Sequence, residues 1–251
     1  MSGLFNLFIR NLRIEWSEIG EYSYLRKIPA VANLTELDLT KNITFFVGEN
    51  GTGKSTLLEA AAVAYGFNPE GGTLNYRFST YDDVSELGKA VKITKGFLRP
   101  ESSYFFRAES FFNVATKAED YRDLSSAPVM YGGRTLHRQS HGESFLAFFQ
   151  SFSGRGIYLM DEPEAALSPQ RQLTLFIRIA KMAEAGSQFI IATHSPILLG
   201  IPGAEILSFD EGEVRPCRYE ETESYQVTEM FINNREKLTE RLLVCPCPEV
   251  V

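Results

Sequence analysis

The chain has 251 residues, 44% of them hydrophobic and 23% charged, with a formal net charge of −7. It is long enough to bury a core of its own, and no apolar stretch approaches the ~20 residues of a membrane span, which excludes direct membrane insertion. The acidic balance argues against a protein that coats nucleic acid broadly while leaving a local groove open, and three cysteines, with Cys245 and Cys247 in the tail, build no disulfide framework and fit a reducing cytoplasm.

The opening MSGLFNLFIRNLRIEW has no basic segment followed by an unbroken apolar one, so no secretion signal is expected, and it reads as a first strand. The stretch around IPAVANLTELDL extends this into an N-terminal β-rich section that leads to an apolar strand, Ile43 to Val47. Residues 48–56 then read GENGTGKST, a complete G-x-x-x-x-G-K-[ST] phosphate loop. Gly48, Gly51 and Gly53 let the backbone of Glu49, Asn50 and Thr52 turn tightly enough to aim N–H groups at phosphates, and the helix that starts near Lys54 adds its positive end. Lys54 is expected to reach the β- and γ-phosphates and Ser55 to ligate Mg²⁺, with Thr56 in the first turn of a helix through LLEAAAVAY.

Between Gly66 and about Arg99 lie an acidic patch at Asp82, Asp83 and Glu86 and a short strand in KAVKITKGF. Its cations Lys89, Lys92, Lys95 and Arg99 either track a phosphate backbone or form a solvated strand face. The segment SSYFFRAESFFNVA passes from a strand-like to a helix-like aromatic run, and a turn-rich stretch follows. From Glu143, the residues Phe145, Phe148, Phe149 and Phe152 recur at the spacing of a helix with one buried face. A buried strand GIYLM comes next; after Ser168-Pro169 a helix carries Leu173, Phe176, Ile177, Ala180 and Ala183 on one face, and QFIIAT supplies another strand. This order predicts a mostly parallel α/β sheet, with no internal repeat and no coiled-coil arm.

The strand ending at Met160 delivers two adjacent carboxylates. Asp161 is placed to hold Mg²⁺, and Glu162 to polarise the attacking water for in-line phosphoryl transfer. Other chemistries fail on local grounds. His137 and His141 are four apart, but no general-base Glu stands beside the first; Gly142-Glu143-Ser144 lacks the final glycine of a nucleophile elbow; and Glu162 beside Asp161 favours water over a substrate hydroxyl.

Phosphate loop, Ser140-His141-Gly142-Glu143 at a helix start, apolar strand with Asp161-Glu162, the loop Glu164 to Ser168, and His194 after the next strand together resemble the ATP-binding cassette superfamily. By that resemblance Ser140, Gly142 and Glu143 form the signature that contacts the γ-phosphate held by an opposite subunit, the loop crosses the dimer interface, and His194 is the switch histidine. With Lys54 and Glu162, His194 completes the catalytic set. The resemblance implies ATP as the nucleotide. SHGES, DEPEAALSP and THSP resemble the soluble branch with SMC, RecF-type and overcoming-lysogeny ATPases, and the chain looks closest to small, stand-alone bacterial predicted ATPases.

The glutamine that ties Mg²⁺ to the helical lobe has Glu101, Glu109 and Gln139 as candidates, and Glu109 in FRAES is chosen as the metal contact. The adenine-stacking aromatic is open among Trp16, Tyr22 and Tyr24. The expected molecule is one ATPase domain over residues 1–251, with an N-terminal antiparallel β section and a helical signature lobe at roughly 100–153. It closes as an ATP-dependent homodimer in the cytoplasm. Its output is DNA repair or defence against foreign DNA, with nucleic acid as partner; the alternatives are a switch that regulates an unidentified protein partner and, third, a transporter subunit.

Overall fold

The computed structural model describes residues 7–74, 85–108, 149, 152, 154–165 and 167–244. In chain order its elements are β1 (Ile9–Ile14), α1 (Pro29–Ala32), β2 (Glu36–Asp38), β3 (Ile43–Val47), α2 (Lys54–Tyr65), α3 (Glu86–Ala90), β4 (Val91–Lys95) and β5 (Ser102–Arg107). There follow β6 (Gly156–Asp161), α4 (Pro169–Glu184), β7 (Gln188–Ala192), α5 (Pro196–Leu199), β8 (Glu205–Ser208), β9 (Arg215–Pro216) and α6 (Glu223–Val244).

Two sheets organise these elements. The larger has the order β5-β6-β7-β3-β8-β9 and is parallel except for the last pair, while β2-β1-β4 is antiparallel throughout. This is the mixed architecture expected from the strand and helix order, with the mostly parallel core sheet and the N-terminal antiparallel section both present.

Along the core strands, the two-residue period of a β-strand sends alternate side chains to opposite faces. Phe46, Phe105, Ile157, Leu159, Ile190 and Leu207 join one buried cluster, and Phe45, Tyr104, Tyr158, Met160, Phe189 and Ile206 join the other. Because both faces are covered, the middles of these strands read as nearly continuous apolar runs, as in ITFFV and GIYLM.

The first cluster also holds α2 and the inner face of the antiparallel sheet. Helix α2 therefore lies between two sheets, and its run Ala60-Ala61-Ala62 is wholly buried. Small side chains let a helix approach sheets on two sides, and they retain high helix propensity. Gln188 ties the two sheets together: its Oε1 accepts the N–H groups of Phe8 and Ile9, each at 2.8 Å, and its Nε2 donates to the Ile9 carbonyl at 2.8 Å.

The second cluster is closed by Leu175, Ile179, Met182 and Ala183 of α4 and by Phe149 and Phe152. Here the sequence reading of α4 needs correction. Leu173 and Ile177, assigned to the buried face, are each 52% exposed, and the face against the sheet runs through Leu175, Ile179 and Met182. Apolar residues occupy most of the circumference of this helix, so spacing alone allows two overlapping faces and docking selects one.

A second correction concerns the helical lobe placed at roughly 100–153. Ser102–Arg107 is the edge strand of the core sheet, in parallel register with β6 from Ser102↔Gly156 to Arg107↔Asp161. Of the aromatic positions in the helix expected from Glu143, Phe149 and Phe152 pack around Tyr158, with ring centroids 5.8 and 5.3 Å away, while Phe145 and Phe148 lie outside the described residues.

Candidate active site

In a parallel sheet the carboxyl ends of all strands open on one edge, so residues far apart in sequence meet there. The ends of β3, β6, β7 and β8 bring together the phosphate loop, Asp161-Glu162, Thr193-His194 and Asp210. Gly53 immediately precedes α2 at φ 99°, and a Cβ there would sit 2.5 Å from Val31 Cγ2. Only glycine satisfies both the backbone sign and the close approach of α1.

Lys54 is 5% exposed and curls back over the loop, donating from Nζ to the carbonyls of Gly48 at 2.7 Å and Glu49 at 2.6 Å. Burial pushes its pKa below the ordinary lysine range, against the opposing pull of Asp210, Glu162, Asp161 and Glu49. The ammonium is thus held by two carbonyls of the loop itself.

Ser55, the second residue of α2, donates from Oγ to Asp161 Oδ1 at 2.8 Å. These oxygens come from elements separated by two strand positions in the sheet, and their meeting depends on the register of β6 and β3 through β7. Two hard oxygen donors side by side are of the type that would suit Mg²⁺. Among the described residues, no group of three His, Cys, Asp or Glu side chains could hold a metal by itself.

Glu162 adopts φ 48°, rare for a residue with a side chain, and its N–H bonds to the Ala192 carbonyl at 2.9 Å. Its Oε1 stands 3.9 Å from His194 Nε2, beyond direct hydrogen bonding, and that buried ring nitrogen has no hydrogen-bond partner among the described residues. His194 is fixed from behind. Its N–H donates to Glu164 Oε1 at 2.7 Å, and the next residue, Ser195, donates from Oγ to Gln172 Oε1 at 2.6 Å while capping Leu198 N–H at 3.2 Å. Gln172 in turn donates to the Leu167 carbonyl at 3.1 Å, so the loop after Glu162 and the His194 turn are braced against each other.

The structure therefore brings Lys54, Ser55, Asp161, Glu162 and His194 to one edge, with the loop residues Gly48 to Thr56. Ser140, Gly142, Glu143, Glu109 and Gln139 lie outside the described residues, as do His137 and His141. Glu101 is misplaced as a metal contact: it precedes β5, at the opposite end of the sheet from Asp161.

Trp16, a stacking candidate, is engaged elsewhere, its indole N–H donating to the Leu34 carbonyl at 2.8 Å with Arg26 over its ring, whereas Tyr22 and Tyr24 are exposed. Of the basic cluster, Lys92 pairs with Glu18 at 3.1 Å and Lys95 donates to the Tyr65 carbonyl at 2.9 Å. Both lie on β4, an edge strand of the antiparallel sheet, where lysines discourage edge-to-edge pairing.

Sequence reasoning missed Asp210. It follows β8, adjacent to β3 on the side away from β6, and accepts the Glu49 N–H at 3.0 Å. A carboxylate just beyond a buried parallel strand was the available signal, but FDEG reads equally well as a solvated turn.

Two family models match parts of the chain, one described as an AAA domain, putative AbiEii toxin, Type IV TA system, over residues 136–200, and one as an AAA domain over residues 23–125. A putative ABC transporter ATP-binding protein of Caldanaerobacter subterraneus subsp. tengcongensis is similar at 26% identity, across 69% of this chain and 78% of that protein. Among solved structures, a putative metal-chelate type ABC transporter in an inward-facing conformation aligns at 16% identity over 87% of this chain and 88% of that one, with a TM-score of 0.44. The Smc head domain of Pyrococcus furiosus aligns at 22% identity over 41% of this chain and 26% of that one, with a TM-score of 0.29.

Proposed function

We propose that this chain, an ATP-binding and ATP-hydrolysing P-loop protein of the ATP-binding cassette type, closes as a homodimer around ATP and opens on hydrolysis. The observation that carries the reading is the contact of Ser55 Oγ with Asp161 Oδ1 beside a buried Lys54, with Glu162 and His194 facing each other at the same edge.

In this reading Ser55 and Asp161 would hold Mg²⁺, which would supply positive charge against the phosphate oxygens. Lys54 exchanges its hold on the loop carbonyls for the β- and γ-phosphates. The Glu162 carboxylate takes a proton from the attacking water, and His194 orients the γ-phosphate from the next strand. Ser140, Gly142 and Glu143 of a second copy would complete the site, their helix start presenting N–H groups to the γ-phosphate. Replacing Glu162 by Gln is expected to lower turnover about 10² to 10⁴-fold while sparing ATP binding. That variant should elute as a dimer in ATP and Mg²⁺, and a monomer at saturating ATP would refute the sandwich.

The output we favour is regulation of a protein partner. Among the described residues no helix is long and apolar enough to cross a membrane, and α6 displays Val227, Met230 and Phe231 to solvent. The DNA-linked reading has less support, since Lys92 and Lys95 are engaged within the chain. ATPase rate with and without duplex or single-stranded DNA separates the two: stimulation by DNA would reverse the order.

A further inference from the structure

We propose that Asp210 is a positioning residue that anchors the phosphate loop through its backbone, holding it in its nucleotide-binding shape. The inference rests on the ATP-site reading above. Lys54 Nζ donates to the Gly48 and Glu49 carbonyls, at 2.7 and 2.6 Å, while Asp210 Oδ1 accepts the Glu49 N–H at 3.0 Å. The same stretch of backbone is therefore held at its carbonyls by a cation and at its Glu49 N–H by a carboxylate, which fixes the orientation of the peptide planes at the loop's entrance.

The carboxylate is itself well braced. Asp210 Oδ2 accepts the Ser208 hydroxyl at 3.0 Å, and Ser208 Oγ accepts the Asp210 N–H at 3.2 Å. On either side of it, Phe209 N–H bonds to the Val47 carbonyl at 2.8 Å, and the Gly212 carbonyl accepts Asn33 Nδ2 at 2.9 Å. The turn after β8 is thus tied both to the strand that feeds the loop and to the segment after α1. Its approach requires glycine at position 48, where φ is 138° and a Cβ would lie 2.8 Å from Asp210 Oδ1. The first glycine of the motif serves this contact as well as the turn.

Asp210 acts here on the loop backbone and on Ser208, so its loss should weaken nucleotide binding and spare the chemical step. Equilibrium binding of ATP and steady-state kinetics on Asp210→Ala are expected to give a Kd and KM raised about tenfold with kcat within about twofold. Asp210→Asn keeps an acceptor oxygen toward Glu49 and should recover affinity to within about threefold of the parent. Ser208→Ala leaves the carboxylate but removes its brace, and should give a smaller rise in KM in a fold that is otherwise intact.

Unchanged KM in both Asp210→Ala and Ser208→Ala, a fall in kcat alone, or an Asn variant as weak as Ala would overturn the proposal. Lys54→Ala run in parallel separates the two levels: if it binds ATP like the parent, the ATP-site reading fails, whereas normal binding by Asp210→Ala with loss in Lys54→Ala removes only the anchor.

Discussion

Ser55 is the residue on which the metal reading turns. Its hydroxyl is held 2.8 Å from Asp161 Oδ1, so a small oxygen-seeking cation would find two protein ligands without rearrangement of the backbone. Ser55→Ala removes one ligand and leaves the loop amides and Lys54 in place. ATP affinity without divalent ion is expected to change less than twofold, while the Mg²⁺ concentration for half-maximal hydrolysis rises about tenfold or more, the effect of losing one oriented oxygen ligand. Equal losses with and without Mg²⁺ would assign Ser55 a packing role instead. Glu162 gives a second lesson at this scale. Its left-handed backbone, φ 48°, costs energy that the Glu162 N–H bond to Ala192 helps offset, and such strain gathers where a side chain must be aimed.

Strand β6 carries both chemistry and core, and the two are separable. Asp161 lies at its end, whereas Tyr158 in its middle is completely buried, stacked on Phe189 at 4.9 Å and hydrogen-bonded to Ser102. Burial raises the Tyr158 pKa, only partly countered by Ser102 and Arg178. A neutral phenol favoured in the fold gives stability that is intact below the ordinary tyrosine pKa of about 10 and is lost as pH climbs from there through the raised value, because the unfolded chain releases its proton first. Tyr158→Phe should therefore flatten the fall of the denaturant midpoint above about pH 10. A parent and variant that fall in parallel would place the alkaline sensitivity elsewhere. For α4, spacing identified a helix but not its rotation. Leu173 and Ile177 fit the periodic pattern as well as Leu175 and Ile179 do, and only the sheet surface distinguishes them.

Across the whole molecule, the antiparallel sheet and the core sheet act as one body because α2 is packed between them and Gln188 bridges them at depth. Gln188 is 1% exposed and satisfies three backbone groups of Phe8 and Ile9. Gln188→Ala leaves those groups without partners, and chemical denaturation is expected to show a loss on the order of 3 kcal/mol. A loss under about 1 kcal/mol would mean that α2 alone holds the sheets.

The sequence by itself determined the phosphate loop, the carboxylate pair after an apolar strand, and the strand-helix-strand order that implies a parallel sheet. These are local signals: a glycine where φ must be positive, a run of Ile, Tyr and Leu where both faces are buried, a lysine and serine at a helix start. What only the tertiary structure decided is which distant groups meet. Asp161 reaches Ser55 through strand register, Glu164 reaches the His194 backbone across a loop, and Asp210 reaches Glu49 from a strand on the other side of β3. Each of these contacts joins side chain to side chain or backbone over more than twenty-nine residues, a separation at which composition and periodicity carry no information because lateral strand order sets the distance.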